Sequence, residues 1–117
     1  MNTILNIGLA RNDGKPDNGV LHVVASLNEY GFKLVAGEVF EVTHAHGVEQ
    51  TLIAEVEYQH NAIYLPAAVK ALADELAQDC IAVGYLQDGT LQGGDLYGSK
   101  AAEWGPFNPQ YFFCPTR

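Results

Sequence analysis

Apolar residues along this chain switch between a two-residue and a helical period in a set order, and that order limits the folds open to it. Residues 3–10 (TILNIGLA) alternate and are rich in β-branched side chains, as in a half-buried strand. Residues 11–18 (RNDGKPDN) combine Gly14 and Pro16 with Asn and Asp, which is loop chemistry. Asp17 or Asn18 is placed to cap a helix running to about Tyr30. On it Val20, Val23, Val24, Leu27 and Tyr30 share a face, and Gly31 ends it. Phe32–Thr43 and Gln50–Tyr58 then alternate as two strands of a long hairpin, with a bulge expected at Gly37. Pro66 suits the first turn of a second helix reaching about Gln78, with Val69, Leu72, Ala73 and Leu76 as its apolar stripe.

Residues 80–86 (CIAVGYL) are nearly continuously apolar, as in a central strand covered on both faces. Asp88-Gly89 is a turn signal, and a short extra strand is expected from Leu91, with Gly93, Gly94 and Gly98 breaking regular structure after it. The order β-α-β-β-α-β predicts an α+β domain over residues 1–98 of the ferredoxin-like kind. That is a four-stranded antiparallel sheet with two helices on one face.

Such a sheet leaves its second face bare, and residues 99–117 follow as an aromatic C-terminal extension. Trp104, Phe107, Tyr111, Phe112 and Phe113 stand among Gly105, Pro106 and Pro109. This is too apolar and too stiff for a solvated tail, so it is expected to dock on its own domain or on a partner. Trp and Tyr anchor many interfaces, which makes Trp104, Phe107 and Tyr111 candidate partner-binding residues.

At 117 residues, 48% of them hydrophobic and 17% charged, the chain has the composition of one folded domain. It contains no apolar run of about 20 residues, so no membrane association is expected, and the first residues lack a signal-peptide pattern. A cytoplasmic address is the expectation. Cys80 and Cys114 lie far apart and fit reduced thiols better than a disulfide framework, although a bridge from tail to strand is conceivable. Fourteen acidic residues against six Lys and Arg give a net charge of −8, which repels a phosphate backbone and disfavours direct nucleic-acid binding.

Glu55 and Glu57 share a strand face, and Glu41 is expected to project similarly from the neighbouring strand. Together they would present an acidic surface to a basic protein partner, or guard a sheet edge against aggregation. His44 and His46, two residues apart in the hairpin loop, are weak metal candidates lacking further ligands, and solvent-exposed loop histidines are the commoner outcome. His22 lies beside the apolar stripe of the first helix, where a lone histidine is usually structural. No phosphate-binding loop, dinucleotide fingerprint, nucleophile elbow or zinc spacing is present, so no catalytic residues and no cofactor are assigned.

The runs Gln78-Asp79-Cys80-Ile81-Ala82-Val83 and Ala101-Ala102-Glu103-Trp104-Gly105-Pro106-Phe107-Asn108-Pro109 resemble uncharacterised small proteins of proteobacteria and their phages or plasmids. The resemblance covers mainly the C-terminal third. It implies no activity, and it suggests an accessory role on a mobile element. The resulting expectation is a non-enzymatic acidic interaction protein, compatible with a homodimer, that binds and inhibits a host protein, for example as an anti-defence inhibitor. The first alternative is a small-molecule binder or small enzyme with a pocket between sheet face and tail, lined by Tyr58, Tyr85, Trp104 and a histidine. The second is metal binding at the His44/His46 hairpin.

Overall fold

The computed structural model describes residues 2–44, 47–105, 107, 108, 112 and 113, excluding the side chains of 42–44 and 47. Seven main elements follow one another: β1 (Asn2–Gly8), α1 (Val20–Glu29), β2 (Phe32–His44), β3 (Gly47–Tyr58), α2 (Leu65–Glu75), β4 (Ile81–Gln87) and β5 (Thr90–Tyr97). Single 3₁₀ turns at Ala62–Tyr64 and Ala101–Trp104 precede α2 and begin the C-terminal extension.

The strands form one antiparallel sheet in the order β2-β3-β1-β4-β5. This corrects the expected four-stranded ferredoxin-like sheet: the sheet has five strands, and β4, which would have been its edge, is covered by β5. The cause is the Asp88-Gly89 turn. Both residues take left-handed backbone angles (φ 52° and 76°), the conformation of a tight two-residue hairpin, and Gln87 pairs with Thr90 directly across it. Gly93 and Gly94, expected to break regular structure, lie inside β5 and pair with Tyr85 and Gly84. The register slips once, between Tyr85 and Leu86, leaving Gln92 as the extra residue of a bulge. The other bulge falls between Leu34 and Ala36, just before the position expected at Gly37.

The burial of β1 alternates strictly, with Thr3, Leu5 and Ile7 inward. Leu5 and Ile7 join Ala54, Val56, Ile81 and Val83 in a core closed by Val23 and Leu27 of α1 and by Val69, Leu72 and Ala73 of α2. Both helices therefore cover the same sheet face. The hydroxyl of Thr3 is buried there without a hydrogen-bond partner among the described residues.

Helix α1 begins later than the loop chemistry suggests, with Gly19 at its N-cap. Asn18 does a different job. Its amide donates to the Leu76 carbonyl at 2.9 Å, its side-chain oxygen accepts from Arg11 at 2.8 Å, and its backbone N–H donates to Leu9 at 2.7 Å. The side chain ties the β1–α1 loop to the end of α2. Helix α2 has Pro66 in its first turn as expected, and ends with Ala77 in the left-handed region (φ 52°). There Gln78 N–H donates to Ala73 at 2.8 Å and Ala77 N–H to Asp74 at 3.2 Å, the pair of bonds that closes a Schellman terminus. No helix among the described residues is long and apolar enough to cross a membrane.

Candidate functional site

The β4–β5 hairpin carries the chain's most chemically pointed cluster. Tyr85 lies on the helix-side face of β4, and Asp95 and Tyr97 alternate onto the same face of β5. Both rings are partly buried and pack against the core. Their hydroxyl oxygens lie 2.9 Å apart, and each is 3.3 Å from the same Asp95 oxygen, Oδ2. Burial raises the affinity of the Tyr85 hydroxyl for its proton, reinforced by its bond to Tyr97. Burial acts the same way on Tyr97, partly offset by the bond from Tyr85. Both phenols therefore stay protonated at neutral pH.

A triangle of three oxygens has three edges, and these two phenols supply only two protons. One edge always lacks a hydrogen, and the exposed Asp95 carboxylate keeps lone pairs that the phenols do not use. Asp95 is exposed, and among the described residues no lysine or arginine forms an ion pair with it. The cluster thus presents surplus acceptor capacity beside two aromatic rings, which chemically favours a positively charged group.

Elsewhere, the β1–α1 loop frames a shallow, open pocket of about 390 Å³ lined by Arg11, Lys15, Pro16, Asp17, Asn18, Gly19 and His22. Arg11 is already committed to Asp13 through a 2.8 Å ion pair and to Asn18. That hydrogen bond, set against some desolvation, holds the Asp13 carboxyl down at about 2. With Asp13 and Asp17 beside the two cations, the loop has no net positive charge to offer an anion. His22, expected beside an apolar stripe, is exposed at the pocket wall.

Over β1, β4 and β5 the open sheet face is occupied by the C-terminal extension. An ideal Cβ on Gly94 would fall 2.5 Å from Phe107 Cζ, and one on Gly84 would fall 3.1 Å from Phe113 Cε2. Phe107 stacks with Phe112 at 6.0 Å (12° between planes) and meets Phe113 at 5.8 Å, while Trp104 lies 6.3 Å from Phe112. Asn6, in the middle of β1, donates its side-chain amide to the Phe112 carbonyl and accepts from Thr51 Oγ1. Of the residues proposed for partner binding, Phe107 is half-buried on the sheet, Trp104 is 45% exposed at its margin, and Tyr111 lies outside the described residues.

The other sequence-derived candidates are not brought together. Glu55 pairs across β1 with Ile4 and Glu57 with Asn2, so both are on the open face, where Asn2 donates to Glu55 at 2.8 Å. Glu41 pairs with Gln50, two residues before the inward-facing Leu52, and so stands on the opposite face. The three carboxylates form no single acidic surface. His46 and the side chain of His44 lie outside the described residues, and among the described residues no group of three His, Cys, Asp or Glu side chains could hold a metal ion. Tyr58 is on the helix-side face, 4.9 Å from Phe32 and 5.6 Å from His60. Tyr58 and Tyr85 therefore lie across the sheet from the phenylalanine rings, and cannot line one pocket with Trp104. Cys80 is a free, half-buried thiol whose pKa is pushed up to about 11 by burial, so it is a poor nucleophile.

Sequence reasoning missed Asp95 and Tyr97. The signal was an Asp-x-Tyr spacing that places both on one strand face, but it has meaning only once β5 is paired with β4.

No family model and no curated protein matches the chain. Two solved structures share its fold. A phage SAM lyase in the apo state superposes with a TM-score of 0.59 at 15% identity, over 81% of this chain and 86% of its own. A phage SAM lyase in complex with S-methyl-5'-thioadenosine superposes with a TM-score of 0.56 at 17% identity, over 88% of this chain and 90% of its own. Identity at this level establishes shared architecture. Both neighbours are enzymes by name, and this displaces the expectation of a non-enzymatic inhibitor of a host protein in favour of the small-molecule alternative.

Proposed function

We propose that this protein is a small enzyme that binds S-adenosylmethionine and cleaves it to S-methyl-5'-thioadenosine. The observation that carries the reading is the fold shared, over most of both chains, with proteins named as phage SAM lyases, one of them holding that thioether. A phage origin for this chain fits the same reading.

The chemistry asks little of a small domain. The substrate's sulfonium is already an activated leaving group. When its bond to the amino-acid chain breaks, the electron pair goes to sulfur and a neutral thioether departs. The four-carbon fragment balances the step either by giving a proton from the adjacent carbon to a base, its electrons forming the new double bond, or by closing its own carboxylate oxygen onto the carbon that sulfur left. Neither route requires water, a metal or a redox cofactor. Positive charge on sulfur fades in the transition state, so transfer from water into a less polar groove favours reaction. The protein's contribution is to orient the chain and exclude water. A net charge of −8 also attracts a cationic substrate at low ionic strength.

Incubating the purified chain with S-adenosylmethionine and following both compounds by chromatography tests the reading. The expected result is thioether formation equal to substrate loss, with no methyl acceptor present and none after heat inactivation. Substrate that decays only at the rate of the protein-free control would overturn it.

A further inference from the structure

We infer that the Tyr85–Tyr97–Asp95 triangle is a subsite for a compact organic cation, an ammonium or sulfonium centre, held between the two phenol rings and the Asp95 carboxylate. Only the identity of the molecule that delivers this cation, S-adenosylmethionine, rests on the function proposed above, and that molecule carries both kinds of centre.

Three observations support the subsite. The oxygens are 2.9, 3.3 and 3.3 Å apart and share two protons, so after both phenols have donated within the cluster the carboxylate keeps acceptor capacity for an added donor or cation. Asp95 is an exposed carboxylate whose described partners are the two phenols, with no lysine or arginine among the described residues paired to it. The tyrosine rings are anchored from below by the core, so the acceptors are fixed before any ligand arrives. An ammonium would donate to the carboxylate's unused lone pairs, whereas a sulfonium, which has no N–H, would rest against the ring faces and the carboxylate charge.

The two centres have different consequences for the proposed reaction. Charge on an ammonium persists through bond cleavage, so holding it binds substrate and transition state alike. Charge on sulfur is lost, so gripping it tightly would favour the ground state. Asp95→Asn is therefore expected to raise KM in both cases, with kcat unchanged if the group held is the ammonium and raised if it is the sulfonium.

The test uses the full chain with trimethylsulfonium chloride and methylammonium chloride as probes, at constant ionic strength with sodium chloride as reference. The tyrosine ring resonances are followed by NMR. Saturable shifts at Tyr85 and Tyr97 with either probe support the subsite, and the stronger probe identifies the centre. Asp95→Asn and Tyr97→Phe alter exposed or half-exposed groups. The first is expected to weaken probe binding about tenfold, the loss of one charge-assisted contact. Shifts no larger than those from sodium chloride, or an Asp95→Asn variant that binds the probes as well as the parent, would overturn the subsite. If the probes bind but S-adenosylmethionine is neither bound nor cleaved, the proposed function falls and the subsite stands. If S-adenosylmethionine is cleaved with unchanged KM by Asp95→Asn, the subsite falls and the function stands.

Discussion

Gly84 and Gly94 face each other across β4 and β5, and each leaves room for a ring of the C-terminal extension. The two are unequal. A Cβ on Gly94 would fall 2.2 Å from the Val83 carbonyl oxygen as well as 2.5 Å from Phe107, and backbone cannot swing aside. A Cβ on Gly84 would meet only side-chain tips, Leu91 Cδ1 at 2.5 Å and Ile4 Cγ2 at 2.7 Å. Gly94→Ala is therefore expected to destabilise by about 2–3 kcal/mol and Gly84→Ala by less, within the usual range for overpacking. Denaturant melts of the two variants check the order, and an equal or reversed order contradicts the argument. The Arg11–Asp13 pair gives a second expectation at this scale. Asp13 titrates below its ordinary 3.8, at about 2, so the folded state binds its proton less readily than the unfolded one. The pair's contribution is complete above the ordinary carboxylate range and is lost as pH falls through about 2. Asp13→Asn should narrow the stability gap to the parent as the melts move from pH 5 to about pH 2.

Helix α2 ends on Ala77 in a left-handed conformation that glycine adopts without strain and alanine does not. Its Schellman bonds are already made, so Ala77→Gly keeps them and relieves the Cβ clash. After the extra chain entropy of glycine, a gain of about 0.5–1 kcal/mol is expected. A calorimetric melting temperature that falls would show that the alanine methyl packs more than it strains. This terminus also shows what was legible in the sequence. The apolar stripes of Val23–Leu27 and Val69–Leu72–Ala73 located both helices, because burial follows period directly. The helix end at Ala77 carries no glycine, so nothing local marked it. Strand β5 illustrates a different failure. The Asp88-Gly89 turn was visible, but Gly93 and Gly94 look like strand breakers until Phe107 is placed over them, since their smallness answers to a residue far along the chain. Asp95 and Tyr97 disappeared with the strand that carries them. Glu41 was assigned to the wrong face because counting along β2 cannot locate the irregularity between Leu34 and Ala36.

At the scale of the whole molecule, the two sheet faces divide the work. The helix-side face carries the core and, at its β4–β5 margin, the triangle to which a ligand is assigned. The other face is covered over β1, β4 and β5 by the extension, whose rings stack on one another over the two glycines and whose backbone is held by Asn6. Burying an aromatic side chain contributes about 1.5–3 kcal/mol, so Phe107, Phe112 and Phe113 together make a large part of what a domain this size has to spare. A chain ending at Glu103 is expected to lose several kcal/mol and to expose Ile4, Leu91 and the bare strip of Gly84 and Gly94, giving a lower melting temperature and self-association on size exclusion. Asn6→Ala is the milder version, loosening the extension without deleting it, with a cost of about 1–2 kcal/mol because it also removes the acceptor of the Thr51 hydroxyl. The triangle lies across the sheet from these rings. Asn6→Ala is therefore expected to lower stability while leaving trimethylsulfonium binding within about twofold of the parent at temperatures where both are folded. Equal losses of stability and of binding would mean that the extension shapes the triangle through the sheet, and the two faces would then have to be treated as one site.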